Sequence, residues 1–493
     1  SIEQTLSHHH AEGILAASER RDSPAIDVIA EGIAKLWVSG VEMDWSAYTG
    51  EVRVHIPLPQ YPWQRTRHWH EAAERSDIHQ TRQWSCPPDQ MLDLLHQIEW
   101  VKSSPPVALT KKNQTWLVLS TKSRAANSLV TALEEAGTTV HFTDDETVSA
   151  PLSKQIIYDG IVAIASGEDA GFLPIKLLHL LLENSIKSAN LVFITQGAST
   201  ASGANQRVSV EQAPLIGTMR VVAEEHPEYT FRLVDADPNI PLEDQNNALA
   251  AHVLLKATDP EVAFRGQDYL IPRLQPMVQI DKPHQGVQIK RDSAYMITGG
   301  LSALGLRAAT VLAKAGARHI ILVSRRPLAP RAQWRHLVKG SEDADRIAGV
   351  LALEAAGVAV ETLALDVTDE DSVHSYLAER ATELRPPIRG LIHLATVYDT
   401  QLAAETDKGR FDAAIAAKLN GARILDRALP DVDLFVLYSS TMTFVPHQGL
   451  AAYSAANCGL DALAADRRAQ GKLALSISWG PWKRLGRAAL DYV

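Results

Sequence analysis

Short apolar runs alternate with amphipathic stretches through most of the chain. One group of apolar runs covers residues 116–119, 156–163, 191–195 and 230–234, and helical periodicity covers residues 125–136, 174–185 and 213–225. Short apolar runs bounded by turn residues are typical of buried strands, whereas apolar positions three and four residues apart are typical of helices. Strands that alternate with helices in this way predict an α/β unit with a parallel sheet.

A second group of apolar runs repeats the pattern nearer the carboxyl terminus. Strands are predicted at residues 294–298, 319–323, 359–365 and 434–438, and a helix at residues 306–315. An alanine-rich segment around Tyr453 predicts a further helix. Residues 54–69 fit neither unit, because they are rich in aromatic side chains and their three prolines favour extended chain.

The turn after the first strand distinguishes the two units. In the second unit this turn is T-G-G-L-S-A-L-G at residues 298–305, and glycines there allow a pyrophosphate to approach the backbone at a helix amino terminus. In the first unit the turn is S-T-K-S-R at residues 120–124 and contains no glycine. We therefore expect only the second unit to bind a dinucleotide, and the first unit to support it by packing.

Four polar residues of the second unit have the spacing of a carbonyl-reducing site. Ser440 ends a predicted strand, Tyr453 follows it by thirteen residues, Asn457 lies one helical turn after Tyr453, and Lys418 precedes Ser440 by twenty-two residues. A nearby ammonium favours the ionised form of a phenol, and a serine hydroxyl can donate to an oxygen that gains negative charge. These residues predict a proton donor, its pKa-lowering partner and an oxyanion donor.

The residues after the second and third strands bear on cofactor choice. Ser324, Arg325 and Arg326 follow the second strand, where an acid would favour NAD and arginine favours the 2′-phosphate of NADPH. Asp366 and Val367 follow the third strand. The Asp366 carboxylate has two open interpretations, as an acceptor from the adenine amine or as a helix cap.

The second unit resembles the ketoreductase domain of modular type I polyketide synthases. The segments that carry the resemblance are Y-M-I-T-G-G-L-S-A-L-G-L, L-V-S-R-R, L-A-L-D-V-T-D, G-L-I-H-L-A, A-A-K-L-N-G-A, F-V-L-Y-S-S, A-A-Y-S-A-A-N and I-S-W-G-P-W. The first unit is similar to the structural subdomain of these enzymes, including E-E-H-P-E at residues 224–228 and V-A-F-R-G at residues 262–266. Residues 26–45 and 54–69 resemble the end of an acyltransferase and the linker after it.

The resemblance implies two Rossmann-like α/β units, a nucleotide-free structural subdomain at residues 91–290 and a short-chain dehydrogenase/reductase catalytic subdomain at residues 291–493. Residues 1–90 would be an acyltransferase remnant and linker. The implied activity is NADPH-dependent reduction of a β-ketoacyl chain on an acyl carrier protein. The implied partners are that carrier protein and the neighbouring ketosynthase and acyltransferase of a homodimeric synthase. The implied cofactor-binding residues are Thr298, Gly299, Gly300, Leu301, Ser302, Ala303, Leu304, Gly305, Ser324, Arg325, Arg326, Asp366, Val367 and Ala395.

The chain departs from this family at three places. Ser302 replaces the middle glycine of the dinucleotide turn, where its side chain could crowd the cofactor. The family's Leu-Asp-Asp marker falls on Tyr398-Asp399-Thr400, and the lack of its second aspartate leans toward an L-hydroxy product. The tryptophan of the opposite stereochemical class is also missing, since Val445 stands at its position. Only eleven residues follow Trp482, so the family's last helix and strand are expected to be truncated. Two alternatives stay open, a catalytically impaired scaffold and a free-standing dehydrogenase for small ketones.

Composition narrows the class further. The formal charge of −10 over 493 residues argues against binding to nucleic acid or to an anionic membrane. The two cysteines, Cys86 and Cys458, are expected to be reduced, and no apolar run is long enough to cross a bilayer. We expect a cytoplasmic enzyme. We expect no metal site, because the three histidines at residues 8–10 have no second set of ligands.

Overall fold

The computed structural model describes most of the chain from residue 94 and one helical segment before it. The described residues are 17, 20, 21, 23–45, 94–105, 113–144, 156–201, 203, 206–255, 259–277, 287–336 and 342–482. The predicted linker at residues 54–69, the histidines at residues 8–10 and Cys86 lie outside these ranges. Residues 1–84 and 85–493 are two separate compact units.

The amino-terminal unit is described through one helix, α1 (Ala25–Val38). Glu31 accepts hydrogen bonds from Arg20 and pairs with Lys35 one turn later. Val28 packs inside the unit, but Ile26 is 73% exposed. Among its described residues, this unit therefore buries only part of its apolar surface.

The second compact unit contains all the remaining described elements. The strands are β1 (His96–Ser103), β2 (Thr115–Leu119), β3 (Thr139–Thr143), β4 (Gly160–Ile164), β5 (Asn190–Gln196), β6 (Thr230–Ala236), β7 (Glu261–Arg265), β8 (Asp268–Pro276), β9 (Ala294–Thr298), β10 (His319–Ser324), β11 (Ala359–Ala364), β12 (Ile388–His393), β13 (Leu434–Ser440) and β14 (Leu475–Trp479). The α-helices are α2 (Arg124–Glu135), α3 (Leu173–Glu183), α4 (Ala213–Glu225), α5 (Asn246–Leu254), α6 (Ala303–Lys314), α7 (Glu342–Ala355), α8 (Glu370–Thr382), α9 (Lys408–Ile415), α10 (Gly421–Ala428) and α11 (Ala451–Ala469). Short 3₁₀ turns cover Glu168–Phe172, Leu242–Gln245, Arg331–His336, Ala403–Glu405 and Thr441–Thr443, and a π-helical turn covers Ala416–Asn420.

The carboxyl-terminal sheet has the strand order β11-β10-β9-β12-β13-β14, and all its neighbouring strands are parallel. Numbered from its first strand, this is the order 3-2-1-4-5-6 of a doubly wound dinucleotide-binding fold. The order reverses between β9 and β12, so a crevice opens at their carboxyl ends. The residues predicted to bind cofactor follow β9, β10, β11 and β12.

The amino-terminal sheet has the order β1-β8-β7-β6-β5-β4-β2-β3. Strands β2 to β7 are parallel, while β8 pairs antiparallel with both β7 and β1. The fold is therefore two Rossmann-like α/β units, as predicted, although the antiparallel edge was not predicted.

The two α/β units share one apolar core where α4 packs on α11. Leu215 and Met219 of α4 belong to the same buried cluster as Ala451 and Ala455 of α11 and Phe411 of α9. The first α/β unit therefore lies directly behind the helix that carries Tyr453. Within the described residues, no helix is both long and apolar enough to cross a membrane.

Candidate active site

The turn between β9 and α6 has the backbone shape of a dinucleotide site. Gly299 has a φ of +65°, which favours glycine, and a Cβ atom at Gly305 would lie 2.5 Å from the Gly299 carbonyl oxygen. Glycine at these positions keeps the start of α6 against the turn. A pyrophosphate would therefore meet the backbone and the positive end of the helix dipole without intervening side chains at either glycine.

Ser302 is the N-cap of α6. Its hydroxyl oxygen accepts a hydrogen bond of 3.1 Å from the backbone N–H of Gly305, and its φ of −73° suits any residue. Serine thus fits this turn without backbone strain. The same bond occupies one of the free N–H groups at the helix start, so fewer remain for a bound phosphate.

One cavity of about 790 Å³ joins this turn to the predicted catalytic residues. Its lining includes Gly299, Leu301, Ser302, Ala303, Leu304, Leu394, Thr396, Tyr398, Lys418, Tyr438, Ser439, Ser440, Met442, Leu450, Tyr453, Trp479 and Trp482. Within it, the ammonium nitrogen of Lys418 lies 4.7 Å from the centroid of the Tyr453 ring. Three of the four catalytic predictions, Lys418, Ser440 and Tyr453, therefore face one cavity.

Lys418 lies in the π-helical turn between α9 and α10 and is only 4% exposed. π-Helical turns are rare, and they occur preferentially at functional sites. Burial lowers the pKa of the Lys418 ammonium, and the adjacent Tyr453 opposes this shift. The Lys418 ammonium thus lies directly beside the Tyr453 ring.

His393, which the sequence analysis did not select, holds this turn in place. Its Nε2 atom lies 2.8 Å from the Lys418 carbonyl oxygen, and its Nδ1 atom lies 2.8 Å from the Thr298 hydroxyl. A carbonyl only accepts, so Nε2 carries the proton and Nδ1 accepts from Thr298. The Thr298 oxygen accepts in turn from the N–H groups of Leu394 and Ala395, each at 3.2 Å. The only sequence signal for this link is a histidine within the apolar run G-L-I-H-L-A.

Ser440 and Asn457 are the two remaining residues of the predicted catalytic set. The Ser440 hydroxyl oxygen accepts from the backbone N–H of Met442 at 3.3 Å, which leaves its proton available for a ligand oxygen. Asn457 is fully buried and donates to the Tyr453 carbonyl at 2.7 Å, but its Oδ1 atom has no partner among the described residues. A buried acceptor without a partner is suited to an ordered water.

Comparisons with known proteins agree with this geometry. The family model described as "KR domain" matches residues 293–484, and the model described as "Polyketide synthase extender module SpnB, Rossmann fold domain" matches residues 98–274. The chain belongs to the polyketide synthase ketoreductases. It is therefore an oxidoreductase of the β-ketoacyl reductase class.

Individual relatives of this ketoreductase come from several synthases. One component of the phenolphthiocerol/phthiocerol polyketide synthase of Mycobacterium tuberculosis is 37% identical over 305 residues, which cover 62% of this chain and 16% of that protein. Erythronolide synthase EryA3 of Saccharopolyspora erythraea is 32% identical over 484 residues, which cover 98% of this chain and 14% of that protein. The chain thus spans a small fraction of these synthases.

Solved structures include "Structure of A-type Ketoreductases from Modular Polyketide Synthase". It superposes with a TM-score of 0.66 and 28% identity, over 81% of this chain and 85% of the other. The likeness extends over both α/β units rather than the catalytic unit alone, because it covers more of the chain than either family model does.

The predicted adenosine side of the ketoreductase site is basic and partly ion-paired. Ser324 ends β10, and Arg325 and Arg326 follow it on the surface. Arg326 lies 3.9 Å from the Asp343 carboxylate, and Arg346, which also lines the cavity, lies 3.4 Å from the same carboxylate. Arg346 was not predicted from the sequence, and it adds a third cation beside the position predicted for the 2′-phosphate.

The structure separates the two interpretations of Asp366. Asp369, not Asp366, is the N-cap of α8, since its carboxylate accepts from the Ser372 N–H. Asp366 accepts instead from the backbone and hydroxyl of Thr368 through one oxygen. The helix-cap interpretation of Asp366 is therefore wrong, while its contact with adenine stays a prediction.

For Val367 and Ala395, which are also predicted to contact the cofactor, the structure limits which atoms are available. Val367 is 5% exposed and packs in the core beside Gly421, so its side chain faces away from the solvent. The Ala395 N–H already donates to Thr298. If Val367 contacts a cofactor, it does so through its backbone, and the Ala395 N–H is already engaged within the protein.

Of the residues at the stereochemical marker positions, Tyr398 lines the cavity. The rings of Tyr398 and Tyr453 meet edge to face with centroids 5.4 Å apart. Asp399 pairs with Arg410 at 3.3 Å, and Val445 is 55% exposed. Tyr398 is thus the marker residue that touches Tyr453, the predicted proton donor.

Two expectations concern features outside the cavity. Cys458 is a free thiol, and burial raises its pKa to about 12, so it is not a nucleophile at neutral pH. Among the described residues, no group of three or more His, Cys, Asp or Glu side chains could hold a metal ion.

Proposed function

We propose that this ketoreductase uses NADPH to reduce the β-keto group of an acyl chain held on the phosphopantetheine of an acyl carrier protein, giving a β-hydroxyacyl thioester. The observation that carries the proposal is the approach of Lys418 to Tyr453, at 4.7 Å from ammonium to ring, within the cavity that the dinucleotide turn also lines. A nucleotide in that turn and a carbonyl beside Tyr453 would share one cavity.

The residues of the turn fit a dinucleotide. The φ of +65° at Gly299 and the close approach at Gly305 leave the turn free of Cβ atoms at those two positions. Arg325, Arg326 and Arg346 lie on the side where a 2′-phosphate would be recognised, which favours NADPH. When bound, the nicotinamide supplies the hydride.

The chain's own residues then manage the proton and the developing charge. Tyr453 donates its phenolic proton to the carbonyl oxygen, and the positive charge of Lys418 stabilises the phenolate that remains. The Ser440 hydroxyl donates to the same oxygen as it becomes an alkoxide. Asn457 holds a water on its unpartnered Oδ1 atom, through which Tyr453 can regain a proton.

The wider context is part of the same proposal. The match to erythronolide synthase EryA3 over 98% of the chain favours a module of a larger synthase rather than a free-standing dehydrogenase. The carrier protein, the neighbouring ketosynthase and acyltransferase and a homodimeric parent would be its partners. We further propose an L-hydroxy product, because Thr400 stands at the position of the second marker aspartate.

Substitution of Tyr453 by phenylalanine tests the proposed reaction. The fold and NADPH binding should be retained, while turnover of a β-ketoacyl N-acetylcysteamine thioester should fall by roughly a hundred- to ten-thousand-fold, the usual contribution of general acid catalysis. Turnover is measured as thioester-dependent loss of NADPH absorbance, and binding as NADPH fluorescence. Tyr158→Phe makes the same change in the other α/β unit and should retain full turnover. Wild-type turnover by Tyr453→Phe would refute the assignment.

A further inference from the structure

A carboxylate of the first α/β unit reaches the active-site loops of the second. Glu225 is the last residue of α4. Its Oε2 atom accepts from the backbone N–H of Ala403 at 2.6 Å, and its Oε1 atom accepts from the backbone N–H of Gly449 at 2.7 Å. Both oxygens are therefore bonded to backbone that is remote in the sequence.

The two N–H groups belong to two segments that border the cavity through the touching rings of Tyr398 and Tyr453. The loop before Ala403 carries Tyr398, and the loop that contains Gly449 leads into α11 and Tyr453. The loops are also bonded to each other, since the Gln401 N–H donates to the Gly449 carbonyl at 2.9 Å. Glu225 thus closes a ring of three hydrogen bonds that fixes the separation of the two loops.

The position of Glu225 is unfavourable for a carboxylate unless it has such partners. The carboxyl end of a helix carries a partial negative charge, which repels an acidic side chain. Hydrogen bonds to a charged acceptor are about twice as strong as neutral ones, so two of them offset this repulsion. The neighbouring Glu224 is exposed, so the same helix end offers a matched residue with the same charge.

A second side chain of α4 reaches the same region. Arg220 pairs with Glu261 of β7 and donates to the carbonyl of Thr443. Thr443 ends the 3₁₀ turn that begins directly after Ser440, and its hydroxyl donates to the Ser440 carbonyl at 3.0 Å. The α4 helix therefore contacts the backbone beside Ser440 as well as the loops beside Tyr398 and Tyr453.

We propose that Glu225 is a positioning residue for this ketoreductase. Because it fixes the distance between the loop that carries Tyr398 and the loop that leads to Tyr453, it also fixes which face of the keto group meets the cofactor. The inference rests on the proposed function. Ala403 itself is fully buried in the core that the two units share, so the product ratio, which a loss of stability alone would not change, is the measurement that separates positioning from support of the fold. Loosening them should let the keto group bind in both orientations.

The test compares Glu225→Gln with Glu224→Gln in the full chain. Glutamine keeps the shape but has one acceptor oxygen, so one of the two loop N–H groups loses its partner. With NADPH and acetoacetyl N-acetylcysteamine thioester, we expect Glu225→Gln to lose about tenfold in kcat/KM, the scale of one charged hydrogen bond, and to produce more of the minor hydroxy enantiomer. NADPH affinity by fluorescence should stay within about twofold, and Glu224→Gln should match the wild type in every measurement.

The outcomes separate the two hypotheses. A wild-type protein that reduces no β-ketoacyl thioester overturns the proposed function. A wild-type protein that does reduce it, with an unchanged enantiomer ratio and unchanged kcat/KM in Glu225→Gln, overturns the positioning role. Hydrogen exchange on the wild type tests the contact without any variant: slow exchange in peptides containing Ala403 and Gly449 supports it, and fast exchange at both amides overturns it.

Discussion

The buried His393 should make the stability of this ketoreductase depend on pH in a way that one substitution removes. Burial lowers its pKa to about 4, helped by the nearby Lys418 charge, although the bond to the Lys418 carbonyl opposes the shift. In the unfolded chain the pKa is about 6.5. A proton therefore binds the unfolded chain more tightly, and the stability that this residue supports above pH 6.5 is lost as the pH falls toward 4.

The magnitude follows from those two pKa values. Between pH 7.5 and pH 5.5 the unfolded chain takes up almost one proton at this position and the folded chain almost none. The free energy of unfolding should therefore fall by about 1.3 kcal/mol through His393 alone. His393→Gln cannot titrate, so it should lack this part of the loss. At pH 7.5 it should be less stable by roughly 1–3 kcal/mol, because the Lys418 carbonyl or the Thr298 hydroxyl loses its partner.

Urea denaturation at both pH values measures the prediction as a difference between proteins. The stability gap between wild type and His393→Gln should narrow by about 1.3 kcal/mol on going from pH 7.5 to pH 5.5, while other titrating groups cancel. His374→Gln replaces a half-exposed histidine and should keep the wild-type pH dependence. Equal pH dependence in wild type and His393→Gln would show that the imidazole does not bridge Thr298 and Lys418 in its neutral form.

Two further predictions concern cofactor choice and the contact between the units. Arg325→Ala should weaken NADPH by roughly tenfold and leave NADH almost unchanged in fluorescence titrations, and equal losses for both would show a structural role. Gly217→Ala would place a Cβ atom 2.5 Å from the Ser454 backbone, beside Tyr453. This substitution should lower the free energy of unfolding by about 1–3 kcal/mol in urea denaturation and should also lower kcat. Gly409→Ala on α9 should change neither quantity. An unchanged stability in Gly217→Ala would mean that α4 and α11 are not in close contact.

The elements that the sequence predicted best are those whose ends are fixed by local chemistry. The β9 strand ends where predicted, at Thr298, because a glycine with positive φ follows it. The helix α4 also has its predicted limits. The strand predicted at residues 156–163 begins only at Gly160, since Asp159 binds the Thr115 N–H through its side chain. Apolar residues alone did not reveal this boundary.

The arrangement of the site was predictable only in part. Tyr453 and Asn457 share one helix, and Lys418 reaches them from another element, as the spacing and the family resemblance implied. The π-helical turn around Lys418 was not predicted, because it depends on a hydrogen bond from His393, which lies on another strand. Contacts of this kind join residues far apart in sequence, and no local pattern encodes them.

The described part of the first α/β unit shows how a dinucleotide-type fold can serve a site without lining its cavity. Its helix α4 presents three residues toward the catalytic unit, each with a different function in the contact: Gly217 admits the backbone of α11, Arg220 holds the turn after Ser440, and Glu225 joins the two loops. Apolar packing alone would tolerate small shifts between the units, because it has no preferred direction. Hydrogen bonds to specific backbone atoms remove that freedom, and reaction at one face of a ketone requires such fixed geometry.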